Sequence, residues 1–307
     1  QTVKIWDAKS GVLLQDLNVC FPVVSLAFSH GGERLVTVGP DNSACVWQVQ
    51  PFPEPRSSQR EEAPASRSEI RNPKSEIEQS LLTSAATVDQ PLRLQGHSAA
   101  VMAVAWSPDD LWILTASRHN SARVWDSKTG DLQRTLVGHQ GSVLAVAFSP
   151  KGKLVATGSA DDSIRLWDTR SGHCLRTLTN HQADVLSLAF SPDGNLLASG
   201  GADRKARLWE VPSGRQLHEL SASVNGVTSV AFSPNGTRLA TANSGTDLHA
   251  LINREARIRL WDVSLGLELL SFVAHTNAVY GVAFSPDGLR FATGSGDNTA
   301  RIRTAFP

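Results

Sequence analysis

Residues 143–168 read VLAVAFSPKGKLVATGSADDSIRLWD, and residues 185–210 read VLSLAFSPDGNLLASGGADRKARLWE. The second stretch repeats the first at an offset of 42 residues. The pattern continues outward from this pair. Trp125, Trp167 and Trp209 are spaced by 42 and 42, and Trp261 follows after 52, one repeat plus a ten-residue insertion. Arg303 stands 42 further on, where a Trp would fall. In the other direction Trp47 precedes Trp125 by 78 residues, and Trp6 precedes Trp47 by 41. A fixed period of this length marks a repeat architecture, in which each unit is one supersecondary element stacked on the next.

Each unit predicts four short strands, here a, b, c and d. In 139–178, VLAVAF is an alternating, largely apolar run that suits a buried strand. SPKG is a tight turn, LVATGS a second strand, and the stretch around Asp161 turns the chain again. SIRLW alternates with β-branched and aromatic residues, and HCLRTL follows the DTRSG turn as the fourth strand. Four-stranded units with no helical pattern between them predict an all-β radial array. Strands a, b and c occur together six times, ending near positions 47, 125, 167, 209, 261 and 303. Residues 2–6 add a third strand and 12–17 a fourth at the N-terminus, and no fourth strand follows 298–303. Either 12–17 completes the sheet begun at 279–303, giving six blades, or the chain is a window on a seven-bladed or longer array. Both ends fall inside a repeat and Met102 is the only methionine, so a window on a longer protein is expected. An open array leaves bare sheet edges, which favour pairing.

GH at 96–97 and 138–139, SPDG at 191–194 and 286–289, and WD at 6–7, 125–126, 167–168 and 261–262 together resemble the WD40 β-propeller family. The resemblance covers nearly all of the chain except about 48–90. It implies one propeller domain over 1–307, six abc units plus an N-terminal partial blade, six- or seven-bladed. It also implies a hydrogen-bonded set in each blade: His from the GH loop, a hydroxyl from strand b, Asp from the b–c turn and Trp from strand c. Matching residues are His139, Thr157, Asp161 and Trp167, then His181, Ser199, Asp203 and Trp209. Thr, His and Asp also suggest nucleophilic catalysis, but a set recurring every 42 residues suits a scaffold better than a single active site.

The other blades depart from the pattern. His97 and Thr115 are followed by His119 where Asp should be. Ser223 and Glu255 replace His and Asp in the blade of Trp261. Thr37 and Asp41 lack a His, with Val19-Cys20 in its place, and His275, Thr293 and Asp297 lack a Trp. His97 and His119 alone are a poor metal pair. No catalytic residue, metal or cofactor is expected.

Composition narrows the function. The 307 residues carry 29 Lys plus Arg and 29 Asp plus Glu, a net charge of zero, so no general nucleic-acid or anionic-membrane footprint is present. Lys4, Arg123, Arg165, Arg207, Arg259 and Arg301 lie two residues before the Trp position, on the same strand face, and are expected to pair with nearby carboxylates. Cys20, Cys45 and Cys174 are odd in number and scattered, which suits a reducing compartment, the cytoplasm. Residues 48–90 are Pro-rich and mixed in charge, an insertion between strands c and d. Residues 245–254 (GTDLHALINR) are a shorter b–c insertion with Leu248, Leu251 and Ile252.

The expected function is a non-enzymatic scaffold for a protein or peptide partner. By the resemblance, the partner face is built from GH loops and b–c turns. It would include Ser98, Ala99, Arg118, His119, Gln140, Gln182, Asp184, Asn225, Asn243, Leu248, Leu251 and Asn277. No nucleic acid, membrane or small-molecule substrate is expected. The alternative is a sensing module of a larger signalling enzyme of kinase, protease or nucleotide-binding type.

Overall fold

The computed structural model describes residues 2–8, 10–19, 21–49, 90–222, 225–244 and 256–305. They form twenty-five strands. β1 (Thr2–Trp6) and β2 (Leu13–Asn18) make a two-stranded sheet. The first blade is β3 (Ser25–Phe28), β4 (Arg34–Val38), β5 (Ser43–Gln48) and β6 (Leu92–Gln95). The second is β7 (Val101–Trp106), β8 (Trp112–Ser117), β9 (Ser121–Asp126) and β10 (Leu132–Val137). The third is β11 (Val143–Phe148), β12 (Leu154–Ser159), β13 (Ile164–Asp168) and β14 (Cys174–Leu178). The fourth is β15 (Val185–Phe190), β16 (Leu196–Gly201), β17 (Ala206–Glu210) and β18 (Gln216–Leu220). The fifth is β19 (Val227–Phe232), β20 (Arg238–Asn243), β21 (Ala256–Asp262) and β22 (Glu268–His275). The sixth is three-stranded: β23 (Val279–Phe284), β24 (Arg290–Ser295) and β25 (Ala300–Thr304).

Every sheet is an antiparallel meander in chain order. The first strands pack on one another from blade to blade, β3 on β7, β7 on β11, β11 on β15, β15 on β19 and β19 on β23. This is the radial order of a propeller with strand a innermost. β2 pairs with β1 and not with β25, so residues 12–17 do not complete the sixth sheet. β5 pairs with β6, the two strands on either side of the long insertion. Residues 50–89 and 245–255 lie outside the described residues. No helix among the described residues is long and apolar enough to cross a membrane.

The core sits between blades rather than within them. Each cluster joins two neighbours: Leu114, Ala116, Val124 and Leu136 of the second blade meet Val143, Val155 and Trp167 of the third. Trp209 packs back on the third blade and Trp261 on the fourth in the same way. An indole buries more apolar surface than any other side chain, so one Trp per interface is the main contributor of apolar burial there. In the sixth blade Arg303 replaces Trp, and its guanidinium lies 5.2 Å from the centre of the Phe272 ring of the fifth.

Candidate functional site

The GH loops and b–c turns form one rim because hydrogen bonds tie them together. In the third blade the Thr157 hydroxyl is 2.7 Å from His139 Nε2 and accepts from Trp167 Nε1 at 2.8 Å. His139 Nδ1 is 2.9 Å from Asp161, and the Gln140 amide donates to the same carboxylate at 2.8 Å. The roles follow from the inventory of donors. With Asp161 ionised, Nδ1 carries the proton and Nε2 accepts the Thr157 hydroxyl. The fourth blade repeats the set, with His181 Nε2 to Ser199 at 2.7 Å, Nδ1 to Asp203 at 3.0 Å and Trp209 to Ser199 at 2.9 Å. Proton order in these sets matches a nucleophilic triad, but the oxygen that would attack is fully buried and already receives an indole N–H. A substrate carbonyl cannot reach it.

The incomplete sets retain part of the geometry. His97 meets Thr115 at 2.7 Å, and Trp125 donates to Thr115 at 2.8 Å. His275 meets Thr293 at 2.7 Å and Asp297 at 3.0 Å. Trp47 donates to Thr37 at 2.9 Å and Trp261 to Thr241 at 3.0 Å. Asp41, without a His, turns to Ser43 Oγ at 2.7 Å. Ser223, Glu255 and Cys20 lie outside the described residues.

Electrostatics follow from these contacts. Burial lowers the pKa of His139 and His181, against the pull of Asp161 and Asp203. For His97, burial, the Arg123 charge and His119 all act in one direction and bring it down to about 4. Burial works to raise Asp161, but hydrogen bonds from Ser163, the Gln140 amide and His139 outweigh it and bring it to about 2.

The glycine of each GH pair has a steric reason. Gly96 and Gly138 have φ of +139° and +154°, and a Cβ on either would strike the guanidinium of Arg123 or Arg165. The cations two residues before the Trp position therefore sit under the GH loops. Lys4 pairs with Asp16 at 2.6 Å, Arg207 with Asp203 at 2.6 Å and Glu219 at 3.1 Å, and Arg259 with Glu268 at 3.5 Å. Arg301 donates to the Ala274 carbonyl at 2.8 Å. Arg123 and Arg165 have no carboxylate partner among the described residues, so the expected pairing holds for three of the six. Arg123 instead lies 5.8 Å from the Trp125 ring centre.

The rim also has a clamp that the sequence reading missed. Ser117, Ser159 and Ser295, each closing strand b, donate to the carbonyls of Ala99, Gly141 and Asn277 at 2.9, 3.0 and 3.0 Å. Their signal is a Ser on the same 42-residue lattice, easily taken for the start of a turn.

Of the partner-face candidates, Ser98, Arg118, His119, Gln140 and Gln182 are exposed on this rim, and Ala99, Asp184 and Asn277 are half-buried. Ser142 Oγ donates to the Arg118 carbonyl at 3.1 Å and joins the third blade's loop to the second blade's turn. Asn225 and Asn243 are buried, contrary to expectation. Asn243 turns inward because its Oδ1 accepts the Arg257 amide at 2.9 Å across the b–c connection. Leu248 and Leu251 lie outside the described residues. No group of three or more His, Cys, Asp or Glu side chains could hold a metal ion among the described residues.

Two curated proteins share part of this sequence. Lissencephaly-1 homolog 1 of Paramecium tetraurelia is 37% identical over 51 residues, 17% of this chain and 13% of that protein. Denticleless protein homolog B of Xenopus laevis is 40% identical over 57 residues, 17% of this chain and 8% of that protein. The chain thus matches a small fraction of the length of each. The sequence profile of the WD domain, G-beta repeat matches residues 12–48, 89–126, 130–168, 172–210, 214–262 and 266–303. Six matched units on six abc blades make this chain a member of the WD-domain, G-beta repeat family.

Proposed function

We propose that this propeller is a non-enzymatic scaffold that binds a protein or peptide on the rim of GH loops and b–c turns. Propellers of this family are typically protein-interaction scaffolds. The observation that carries the reading is a rigid backbone under exposed polar side chains. The turn of Asp161 is held by Ser159, His139 and the Gln140 amide, while Arg118, His119 and Gln140 remain exposed. A surface with its backbone already ordered loses little entropy on binding. The same reading assigns no nucleic-acid, membrane or small-molecule ligand, and a reducing compartment.

The test is site-specific photo-crosslinking in lysate of the source cells. A photoreactive residue at Gln140 or Gln182 is compared with one at Val137, exposed on the outer strand β10. The expected result is a discrete protein adduct at the two rim positions and none at Val137. With the photoreactive residue at Gln182, the combined variant S98A/R118A/H119A/Q140A should reduce that adduct at least tenfold with unchanged thermal stability. An adduct of equal yield at Val137, or one indifferent to the four substitutions, places the partner elsewhere.

A further inference from the structure

On the side opposite the rim, the groove between neighbouring blades keeps its place and changes its lining. It is built from the a–b turns of two blades, the c–d turn of one and the start of strand d of the other. Between the fourth and fifth blades it is a cavity of about 540 Å³, with Leu196, His218, Asn235, Thr237, Val263 and Ser264 in its walls. Two repeats earlier, the same lattice positions are Trp112, Arg134, Lys151, Lys153, Thr169 and Arg170. All six line the groove between the second and third blades, a cavity of about 510 Å³. The frame is the same in both places and needs no Lys or Arg to form. Two lysines and two arginines stand in one groove where Asn, Thr, His and Ser stand in the other.

The groove between the second and third blades is rich in spare donors. Lys151, Lys153 and Arg170 are exposed and make no ion pair among the described residues. The Trp112 indole N–H has no acceptor among them, and the Thr169 hydroxyl oxygen is buried without a partner. The two carboxylates in the wall are already engaged. Asp109 accepts the Ser107 hydroxyl at 2.5 Å and the Leu111 amide at 3.1 Å. Asp168 accepts the Ser171 amide and hydroxyl, both at 2.7 Å. Arg134 is fixed from behind, its Nε donating to the Arg170 carbonyl at 3.1 Å and its Nη1 to the Gln133 carbonyl at 2.6 Å. Four cations against two carboxylates leave two positive charges over. A phosphomonoester matches that excess, with a charge of about −1.5 to −2 near pH 7 and three strong acceptor oxygens.

We propose that this groove binds a phosphorylated segment of a protein partner, a phosphoserine or phosphothreonine within an extended chain. Lys151, Lys153 and Arg170 supply the charge-assisted hydrogen bonds to the phosphate, and the Thr169 hydroxyl is a further donor. Trp112, Val124 and Gln133 complete the wall. They offer an apolar surface and a side-chain amide to the residues flanking the phosphate. The site faces away from the GH loops, so it stands independently of the rim.

The probe is a synthetic peptide library with phosphoserine at the centre and randomised flanks, passed over the immobilised whole chain. The tightest selected peptide is then titrated in solution, alongside its unphosphorylated form and inorganic phosphate. Indole N–H signals are followed by NMR, and Trp112→Phe identifies the signal of Trp112. Saturable binding is expected, with a shift of the Trp112 signal and an affinity at least about tenfold above that of the unphosphorylated form. Lys151→Asp, Lys153→Asn and Arg170→Ser together should weaken phosphopeptide binding by at least about tenfold. The chain itself uses these residue types at Asp193, Asn195 and Ser264, so the turns fold normally, and an unchanged urea midpoint checks this. The S98A/R118A/H119A/Q140A variant should bind the phosphopeptide as the parent does. A loss there as large as in the triple variant places the peptide on the rim and overturns the proposal. A library without phosphate-dependent selection overturns it, as does binding that survives the triple variant. Inorganic phosphate that binds as tightly as the peptide overturns the assignment to a polypeptide.

Discussion

A proton placed on His97 has no carboxylate to share it. His139, His181 and His275 each face an Asp across Nδ1, but His97 has His119 at that position in the sequence and the Arg123 charge beside it. The sign of the pH dependence follows. The folded pKa of His97 is about 4, below the ordinary 6.5, so the unfolded chain binds the proton more readily. Its contribution to stability is therefore complete above pH 6.5 and is lost as pH falls toward 4, reaching about 2 kcal/mol of loss at pH 5. Asp161, held at about 2, adds a second loss below its ordinary 3.8. His119→Asp should supply the absent carboxylate, raise the pKa of His97 and remove most of the loss between pH 7 and 5. Urea unfolding at the two pH values, with the His97 ring followed by NMR, reads both effects. An unchanged pH slope in His119→Asp would show that acid sensitivity arises elsewhere.

The b–c turn is the element that aims the rim, and it holds one left-handed residue in each of the five blades whose turn is among the described residues. Asn42, Asn120, Asp162, Arg204 and Asn298 have φ of 64°, 55°, 64°, 69° and 65°. Asn and Asp tolerate this region because their short polar side chains bond locally, whereas a long side chain only meets the steric cost. Arg204 is the exception. Arg204→Asn should raise stability by about 0.5–1 kcal/mol, read as a higher urea midpoint at unchanged slope. Asn42→Arg should lower it by a similar amount, and a loss from Arg204→Asn or a gain from Asn42→Arg would contradict the turn argument. Strands and turns of this kind were legible in the sequence because alternation and turn residues recur at a fixed period, as in VLAVAF-SPKG-KLVATGS. The serine clamp was not, because a Ser at a strand end suits a turn as well as a hydrogen bond back to a loop carbonyl. Asn225 and Asn243 were misjudged for a related reason: a loop position gives no sign of which way a polar side chain turns, and these two turn inward.

At the scale of the molecule, stability is shared between neighbours, since each core cluster joins two consecutive blades. In such an array an interior blade has two interfaces and an end sheet has one, so local opening should begin at the ends. The burial patterns give this a direct form. β12 and β16 are buried at five of six positions, whereas all five residues of β25 are exposed and β1 alternates exposed and buried. Hydrogen exchange of the chain alone should therefore be graded. The amides of β25, β1 and β2 should exchange first, those of β3 and β24 next, and those of β8, β12 and β16 last, at the rate set by global unfolding. Mild urea should lower protection at the ends well before it changes the centre, and Trp6 emission should shift before that of the buried indoles. Equal protection along the row, lost together in urea, would mean that the blades unfold as one unit.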